Sequence, residues 1–380
     1  MRILINAVST KKHSGGAYQI AYNFFVKTLD YVEVEWVYVV SKDLDEILPE
    51  SIKKSVYYYV FPTQPDFRHS YMKVKKELAD LEQRIVPDVV YSITAPSYFS
   101  FNAPEVMRFT NPWVTHPNKY AWSVLSLKEK IFYYLYGLNQ KRLIKKNKFF
   151  ITQTETCAKG IQRIIGVASK NIKVVNNVLP ATFQSIDNVH INTDDDYINV
   201  ACVGAATTHK NFDIIPEVLF ELHNKGYSNI RMHVTLPDDE PTLYVIKRGL
   251  EKYNLTEMLV NHGRLSQKEL AVLYKKSHFC FLPTLLEVFS ASTVEAMYFQ
   301  LPIVATDFLF NREVLEDSCL YYEPKNAKAA ANQFIKLIND SSLQKDLKRK
   351  MSNRLLNYSN YDAHFNSILD FLIKVAKRTI

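Results

Sequence analysis

The sequence predicts an α/β protein made of two open parallel sheets in tandem, each in its own domain. The chain has 380 residues, which is more than one ordinary hydrophobic core accommodates. Short apolar runs rich in β-branched residues alternate with longer segments of helical period, and this alternation is typical of βαβ units. It stops once, at the polar stretch Leu179–Tyr197, and then starts again. These observations predict two Rossmann-like domains.

The first domain is predicted at residues 1–178. Its strands are expected at Arg2–Val8, Val32–Val40, Val56–Phe61, Asp88–Ser92, Val106–Thr110, Phe149–Thr152 and Ile172–Val175. The clearest helices between them are Ala17–Leu29 and Tyr71–Ile85. Because helices separate the strands, the strands are expected to pair in parallel.

A linker between the domains is predicted at residues 179–197. It contains three consecutive carboxylates, Asp194–Asp196, a run that could be mistaken for a set of metal-binding carboxylates. Here the run precedes a strand instead of following one. A solvated linker is therefore favoured, and it is expected to act as a hinge.

The second domain is predicted at 198–357, followed by a helical segment, 358–380, that crosses back to the first domain. Its strands are expected at Ile198–Val203, Ile230–Thr235, Met258–Asn261, Phe279–Leu282, Ile303–Ala305 and Leu320–Tyr322. Ligands of such sheets bind beyond the carboxyl ends of the strands. With two domains facing each other, the natural site is the cleft between them.

Composition narrows the class of protein. The 47% of hydrophobic residues and 23% of charged residues are those of a globular chain. The four cysteines are far apart and show no zinc-ligand spacing, so reduced, buried thiols are expected. The first residues lead directly into a strand without a secretory signal, and no apolar run reaches about 18 residues. A cytoplasmic protein is therefore expected.

The most informative segment is Phe281–Asp307, in which a buried strand is followed by a loop with Glu287 and a helix with Glu295. The N–H groups at the start of that helix favour an anion such as a diphosphate. The Glu295 carboxylate can accept hydrogen bonds from vicinal ribose hydroxyls, and Glu287 from hydroxyls of a transferred sugar. The alternative is a surface helix that carries two glutamates by chance.

Two further loops follow the first strand of each half. In the second half, Val203–Asn211 contains Gly204 and Lys210, and a lysine here can neutralise a phosphate, although a lone lysine after a strand is often only solvated. In the first half, Gly15 and Gly16 precede an amphipathic helix. A pair of glycines is by itself more often a plain turn, but its place after the first strand favours a binding loop.

These segments resemble the retaining glycosyltransferases of family 4, which have the GT-B fold. The resemblance rests on residues in register with the donor motif of that family, namely Pro283, Glu287, Phe289, Glu295, Ala296, Met297, Pro302 and Val304. The chain departs from the family at Val288, Ser290 and Gln300. Ala205 stands where the family has an arginine beside the lysine, and Arg264 is a candidate replacement unless it packs near the nucleobase.

The resemblance implies a transfer of a hexose or deoxyhexose from a nucleoside-diphosphate sugar to a hydroxyl acceptor, with retention and no required metal or other cofactor. Catalytic roles are implied for Glu287, Lys210 and His116. The donor is implied to contact Gly15, Gly16, Gly204, Lys210, Arg264, Glu287, Phe289, Ser290 and Glu295. The family often carries a histidine near the end of a middle strand, where this chain has Asn111; His116 follows a few residues on, and Asn111 or Trp113 can contact the acceptor instead.

The net charge of +8 directs attention to anionic partners. Residues 126–150 carry seven basic residues and one acidic residue among tyrosines, phenylalanines and leucines. Such a helix can lie on an anionic membrane, where a polyprenyl-diphosphate-linked glycan acceptor would be found, or it can be an ordinary helix with a solvated basic face. No nucleic-acid-binding motif is present, so nucleic acid is excluded as a partner.

Bacterial surface polysaccharide assembly (O-antigen, capsule or exopolysaccharide) is the expected setting. Two rivals stay open at this point. One is a sugar-nucleotide epimerase of the GT-B fold, against which the register of Glu287 and Glu295 argues. The other is a non-catalytic partner protein that retains the fold, a reading motivated by Ala205 and by the missing family histidine.

Overall fold

The structure is a computed structural model that describes residues 1–12, 16–62, 71–179, 183, 196–358 and 360–380, without the side chain of Tyr71. Most of the predicted linker 179–197, and Gly15, lie outside the described residues. Within the described part the chain forms two parallel sheets, each flanked by helices on both faces.

The first sheet has the strand order β3-β2-β1-β4-β5-β6-β7, and all its pairs are parallel. Its strands are β1 (Arg2–Ala7), β2 (Glu35–Ser41), β3 (Tyr58–Phe61), β4 (Val89–Ser92), β5 (Glu105–Arg108), β6 (Phe149–Thr152) and β7 (Ile172–Val174). The strand order reverses between β1 and β4, as in doubly wound folds.

The helices of the first half are α1 (Gly16–Lys27), α2 (Lys42–Asp45), α3 (Glu50–Lys53), α4 (Tyr71–Ile85), α5 (Pro112–Thr115), α6 (Lys119–Ser123), α7 (Leu127–Ile144) and α8 (Glu155–Ile165). One face of the sheet packs against α1 and against the last helix of the chain, through Phe24 and Phe365 among others. The other face packs against α4 through Leu78 and Leu81.

The second sheet has the order β10-β9-β8-β11-β12-β13 and is also parallel throughout. Its strands are β8 (Ile198–Cys202), β9 (Ile230–Val234), β10 (Leu259–Asn261), β11 (Phe279–Leu282), β12 (Ile303–Thr306) and β13 (Leu320–Tyr322). The order reverses between β8 and β11, so the carboxyl ends of these two strands flank the crevice in which such sheets bind ligands.

The helices of the second half are α9 (Ile215–His223), α10 (Pro241–Tyr253), α11 (Gln267–Lys276), α12 (Ala291–Tyr298), α13 (Leu309–Leu315), α14 (Ala327–Asn339), α15 (Ser341–Leu355) and α16 (Tyr361–Ala376). Helices α9, α10 and α14 cover one face of the sheet. Helices α11 and α12 cover the other. The two Rossmann-like domains confirm the predicted fold class.

The chain divides into two compact units. The first comprises Met1–His116, Phe132–Asn176 and Asp362–Ile380, and the second comprises Pro117–Ile131 and Asn177–Tyr361. The stretch Pro117–Ile131 groups with the second unit because its side chains bond there, whereas the sequence analysis placed it inside a first domain of 1–178.

The sequence predicts buried, reduced cysteines and no membrane-spanning helix. All four cysteines are buried, and none of them forms a disulfide bond. Among the residues that the structure describes, no helix is long and apolar enough to cross a membrane.

Candidate active site

Two loops of the second unit meet at the reversal of strand order. One follows β8 and runs from Val203 to Asn211, and the other follows β11 and leads into α12. The loops are neighbours because β8 and β11 pair directly, with Val200 opposite Phe279. The residues selected from the two sequence motifs are therefore brought to one end of one sheet.

Hydrogen bonds join these loops to each other. The Leu285 amide donates to the His209 carbonyl at 2.8 Å, and Asn211 Nδ2 donates to the Pro283 carbonyl at 3.3 Å. Asn211 is buried and adopts the left-handed conformation, with φ 57° and ψ 36°. Asparagine tolerates this conformation better than most residues, so it both turns the first loop and fastens it to the second.

The central contact is an ion pair between Lys210 and Glu287. Lys210 Nζ lies 2.6 Å from Glu287 Oε2, and the two side chains are only 15% and 21% exposed. Lys210 Nζ also lies 3.4 Å from Ser290 Oγ. A Cβ at Gly204 would lie 3.3 Å from the Phe212 ring and 3.8 Å from Lys210 Cδ. A Cβ here would crowd the Phe212 ring, whereas its contact with the lysine side chain would be an ordinary one.

Glu295 lies behind this pair, on α12, and is 7% exposed. The Tyr274 hydroxyl donates to Glu295 Oε2 at 2.8 Å, and the Tyr274 ring stacks on Phe299. Burial raises the pKa of Glu295 to about 7, although the hydrogen bond from Tyr274 and the charge of Lys210 oppose the rise. Among the described residues Tyr274 is the one side chain that donates to Glu295, which leaves Oε1 for another donor.

The start of α12 has no side-chain cap. Ser290 is the N-cap residue, but its side chain makes no capping bond and lies 2.8 Å from Ser292 Oγ instead. The first N–H groups of a helix attract anions when no side chain satisfies them. The start of α12 therefore adds partial positive charge close to the Lys210 ammonium group.

Three other predicted donor residues are placed differently. Phe289 is 6% exposed and packs edge-on against Tyr358, so its ring belongs to the core of the second unit. Arg264 is exposed, in the turn after β10, and makes no hydrogen bond or ion pair within the described ranges. In the first unit, Gly16 is the exposed first residue of α1.

The predicted acceptor-side residues lie after β5 in the first unit. His116 ends α5, is half-buried, and its Nδ1 lies 2.8 Å from Thr115 Oγ1. Asn111 Oδ1 caps the same helix by accepting from the Trp113 amide at 3.1 Å. The Trp113 ring is buried and stacks on Tyr133, with centroids 4.3 Å apart. The histidine ring is thus more exposed than the indole.

The sequence analysis did not single out Tyr274, which lies 21 residues before its partner Glu295 and on another helix. Nothing local in the sequence indicates this pairing. It also did not use Glu129, although Ser126 and Glu129 show the spacing of a capping box and do form one. Glu129 has a second partner, Thr208, in the loop that carries Lys210.

Residues 184–354 match the family model described as "Glycosyl transferases group 1". A curated relative is the O-antigen chain mannosyltransferase RfbU of Salmonella typhimurium, which is 23% identical over 189 residues. That alignment covers 50% of this chain and 50% of the relative, so the chain aligns with about half the length of the curated protein.

Solved structures resemble the chain over nearly its whole length. A glycosyltransferase from Rickettsia africae has a TM-score of 0.73 at 13% identity and covers 99% of both chains. Anabaena Alr3699/HepE, solved in complex with UDP and glucose, has a TM-score of 0.70 at 14% identity, covering 98% of this chain and 100% of the other. The family match is therefore confined to residues 184–354, and the solved structures show that the chain as a whole has the fold of these glycosyltransferases.

Proposed function

We propose that the protein transfers a hexose or deoxyhexose from a nucleoside-diphosphate sugar to a hydroxyl group, with retention of configuration. The observation that carries this proposal is the ion pair of Lys210 and Glu287 at 2.6 Å, beside the uncapped start of α12. A cation and a helix start can hold a diphosphate, and a carboxylate beside them can orient a sugar. HepE, which has a similar fold, was solved with UDP and glucose.

Each residue of the site has a role in this proposal. Lys210 and the N–H groups at the start of α12 bind the diphosphate and stabilise the charge that develops on it as the sugar leaves. Glu287 accepts hydrogen bonds from the donor sugar, and Glu295 accepts them from the ribose through Oε1. Gly204, where a Cβ would crowd the Phe212 ring, is proposed as a further donor contact in the loop of Lys210. Lys210 must turn from Glu287 towards the diphosphate when the donor binds.

No metal or other cofactor is required in this proposal, because Lys210 and the helix start supply the positive charge that a metal would otherwise supply. The leaving phosphate helps to take the proton from the acceptor hydroxyl on the same face of the sugar. His116 is proposed to contribute on the acceptor side, since it is half-buried whereas Trp113 is buried, and Asn111 Oδ1 is used to cap α5. Gly15, Gly16, Arg264, Phe289 and Ser290 are proposed as further donor contacts.

The proposed acceptor is a glycan linked to a polyprenyl diphosphate, in the assembly of a bacterial surface polysaccharide. The curated relative, an O-antigen chain mannosyltransferase, supports this setting. Such acceptors are held at a membrane surface, so the enzyme is proposed to work in the cytoplasm, at the inner face of the membrane.

Helix α7 supports the membrane part of the proposal. It exposes six large apolar side chains, each between 48% and 75% exposed, at Leu127, Ile131, Phe132, Tyr134, Leu135 and Leu138. Lys141 and Arg142 lie in its last turn, and further lysines follow. Exposed apolar residues beside basic ones favour the surface of an anionic bilayer.

Vesicle flotation tests this part. The protein is expected to float with phosphatidylglycerol vesicles at physiological salt, and the double variant Phe132→Ser, Leu135→Ser is expected to stay in solution. A matched control is Tyr244→Ser, Val245→Ser, which removes two exposed apolar side chains of α10. Equal flotation of all three proteins would argue against α7 as the contact.

A thermal-shift screen against UDP-, GDP- and dTDP-sugars tests donor binding. A ligand that binds only the native state raises the melting temperature in a concentration-dependent way. We expect one nucleotide class to do so, and the shift to be lost in Glu295→Ala. Lys350→Ala, which removes an ion-paired lysine of α15, is expected to respond like the wild type. A folded protein that responds to no donor would contradict the proposal, and one that binds donor without turnover would favour the non-catalytic partner.

A further inference from the structure

The stretch Pro117–Ile131 packs within the second unit and reaches both loops of the candidate active site. It contains helix α6 and the first turn of α7. Two of its polar side chains bond to the two loops, one to each.

The first contact holds the loop of Glu287. Asn118 Nδ2 donates to the Leu285 carbonyl at 2.7 Å, two residues before Glu287. The other end of the same amide is also used, because Asn118 Oδ1 accepts from the Ala121 amide at 3.0 Å as the N-cap of α6. A side chain fixed at both ends loses little further entropy in holding its partner, so its contact positions the loop effectively.

The second contact holds the loop of Lys210. Thr208 Oγ1 donates to Glu129 Oε1 at 2.9 Å, two residues before Lys210. Glu129 Oε2 accepts from the Ser126 amide at 2.8 Å and from its hydroxyl at 2.7 Å, which caps α7. The bonds from Ser126, and then that from Thr208, lower the pKa of Glu129, so it is a carboxylate at neutral pH.

We propose that Asn118 and Glu129 are positioning residues of the donor site. Each fixes one loop to the same short stretch of chain, and together they set the separation at which Lys210 Nζ and Glu287 Oε2 meet. The inference rests on the proposed function, since it assigns these residues to the binding of the nucleoside-diphosphate donor. Neither residue touches the donor itself.

The same stretch makes contacts away from the loops, which provide a control. Lys325 Nζ donates to Ser123 Oγ at 3.2 Å at an exposed position, and the Tyr120 ring packs edge-on against Phe308. These contacts attach the stretch to the second unit but do not involve Lys210 or Glu287.

The test compares variants that remove one contact and keep the local helix cap. Asn118→Asp retains the oxygen that caps α6 but replaces the donating amide by a carboxylate that faces the Leu285 carbonyl. Thr208→Val removes the hydroxyl and leaves the Ser126–Glu129 capping box intact, whereas Thr208→Ser restores the hydroxyl. Ser123→Ala removes the contact with Lys325 and the bond from Ser123 Oγ to the Tyr120 carbonyl, but leaves both loop contacts in place.

The measurements are the Kd of the nucleotide found in the thermal-shift screen, by isothermal titration calorimetry, and the unfolding midpoint of each variant. We expect Asn118→Asp and Thr208→Val to raise the Kd roughly tenfold, the size of one lost hydrogen bond to a positioned group. Thr208→Ser and Ser123→Ala are expected to bind like the wild type. A merely structural contact would lower the midpoints and leave the Kd unchanged.

The outcomes separate this inference from the proposed function. If the wild type binds a nucleotide and all four variants bind it equally well, the positioning role is overturned while the donor site stands. If the folded wild type binds no nucleotide, the proposed function is overturned and the inference with it. A higher Kd in Asn118→Asp and Thr208→Val alone supports both the positioning role and the proposed donor site.

Discussion

The two loops of the candidate active site in the second unit and the middle of the first unit's sheet differ in whether their buried ionisable groups have partners. In the second unit, Lys210 pairs with Glu287 and Glu295 accepts from Tyr274, so each ionisable group of the motif has a protein partner. In the first unit, Arg108 at the end of β5 is 6% exposed, yet its Nη2 has no hydrogen-bond partner within the described residues. The two regions therefore differ in whether other protein groups pair with their buried ionisable side chains.

Arg108 stays charged in spite of its surroundings. Burial lowers its pKa, but a guanidinium remains protonated in proteins. Its neighbourhood includes the Tyr91 hydroxyl, which is also buried without a partner in the described part of the chain. An unpaired buried charge costs free energy of folding, whereas a charge with an opposite partner is largely compensated. The comparison predicts that replacing Arg108 and replacing Arg354, an ion-paired arginine of the second unit, change stability in opposite directions.

The largest effect is expected at Lys210. Lys210→Ala removes the cation proposed to bind the diphosphate, so kcat is expected to fall by roughly 100- to 1000-fold, as when a group that stabilises the leaving charge is lost. Initial rates at saturating donor, with circular dichroism to check folding, measure this. Lys350→Ala, an ion-paired lysine of the same unit, is the matched control. Unchanged kcat in Lys210→Ala would remove the lysine from the mechanism.

The next effect concerns Glu295 and depends on pH. The pKa of Glu295 in the folded protein, about 7, lies above the ordinary value of 4.5. Glu295 therefore ionises at a lower pH in the unfolded chain than in the folded protein, and the free energy of unfolding falls as the pH rises between these two values. The penalty is absent below that window and complete above it, at about 3 kcal/mol. Glu295→Gln does not titrate, so its free energy of unfolding should exceed that of the wild type near about pH 8 and match it at about pH 4.

Urea unfolding of both proteins across this range measures the difference. Any other group, such as the buried Glu105, titrates in both proteins and cancels. A difference between the two proteins that does not change with pH would show that folding does not shift the pKa of Glu295.

A smaller effect is expected at Arg108, where a substitution removes a buried charge that lacks a partner. Arg108→Met replaces an unpaired buried charge by an apolar side chain of similar length and should raise the free energy of unfolding by about 2 kcal/mol. The matched control is Arg354→Met in the second unit, because Arg354 donates to two backbone carbonyls and pairs with Glu316 at 2.9 Å. That variant should lose roughly 1–3 kcal/mol. Destabilisation by both variants would mean that Arg108 is compensated after all.

The smallest effect is expected for Tyr274→Phe. It removes only the hydroxyl that donates to Glu295 and keeps the ring that stacks on Phe299. Stability at neutral pH should fall by about 1 kcal/mol, and the pKa of Glu295 should rise further because its anion loses a donor. A titration of unfolding free energy against pH would show the Glu295 window moving upwards. A window that stays in place would contradict this pairing.

Much of the fold could be predicted from local patterns. The strands Phe149–Thr152 and Phe279–Leu282 and the helix Tyr71–Ile85 lie where the sequence pattern predicts them. Other boundaries depend on backbone conformation. The first helix after β8 begins as an α-helix only at Ile215, because Asn211 is left-handed and Phe212–Ile214 forms a 3-10 turn.

The sequence by itself determined the two parallel sheets, because alternating apolar runs and helical segments are local and recur along the chain. It also indicated Lys210, Glu287 and Glu295 as residues of one kind of site, through their spacing and resemblance. Only the tertiary structure decided their partners. Lys210 and Glu287 are 77 residues apart and meet because β8 and β11 are neighbours although β9 and β10 lie between them in the chain. Asn118 and Glu129 reach the same loops for a like reason: strand order and chain path, which no local pattern records, bring them there.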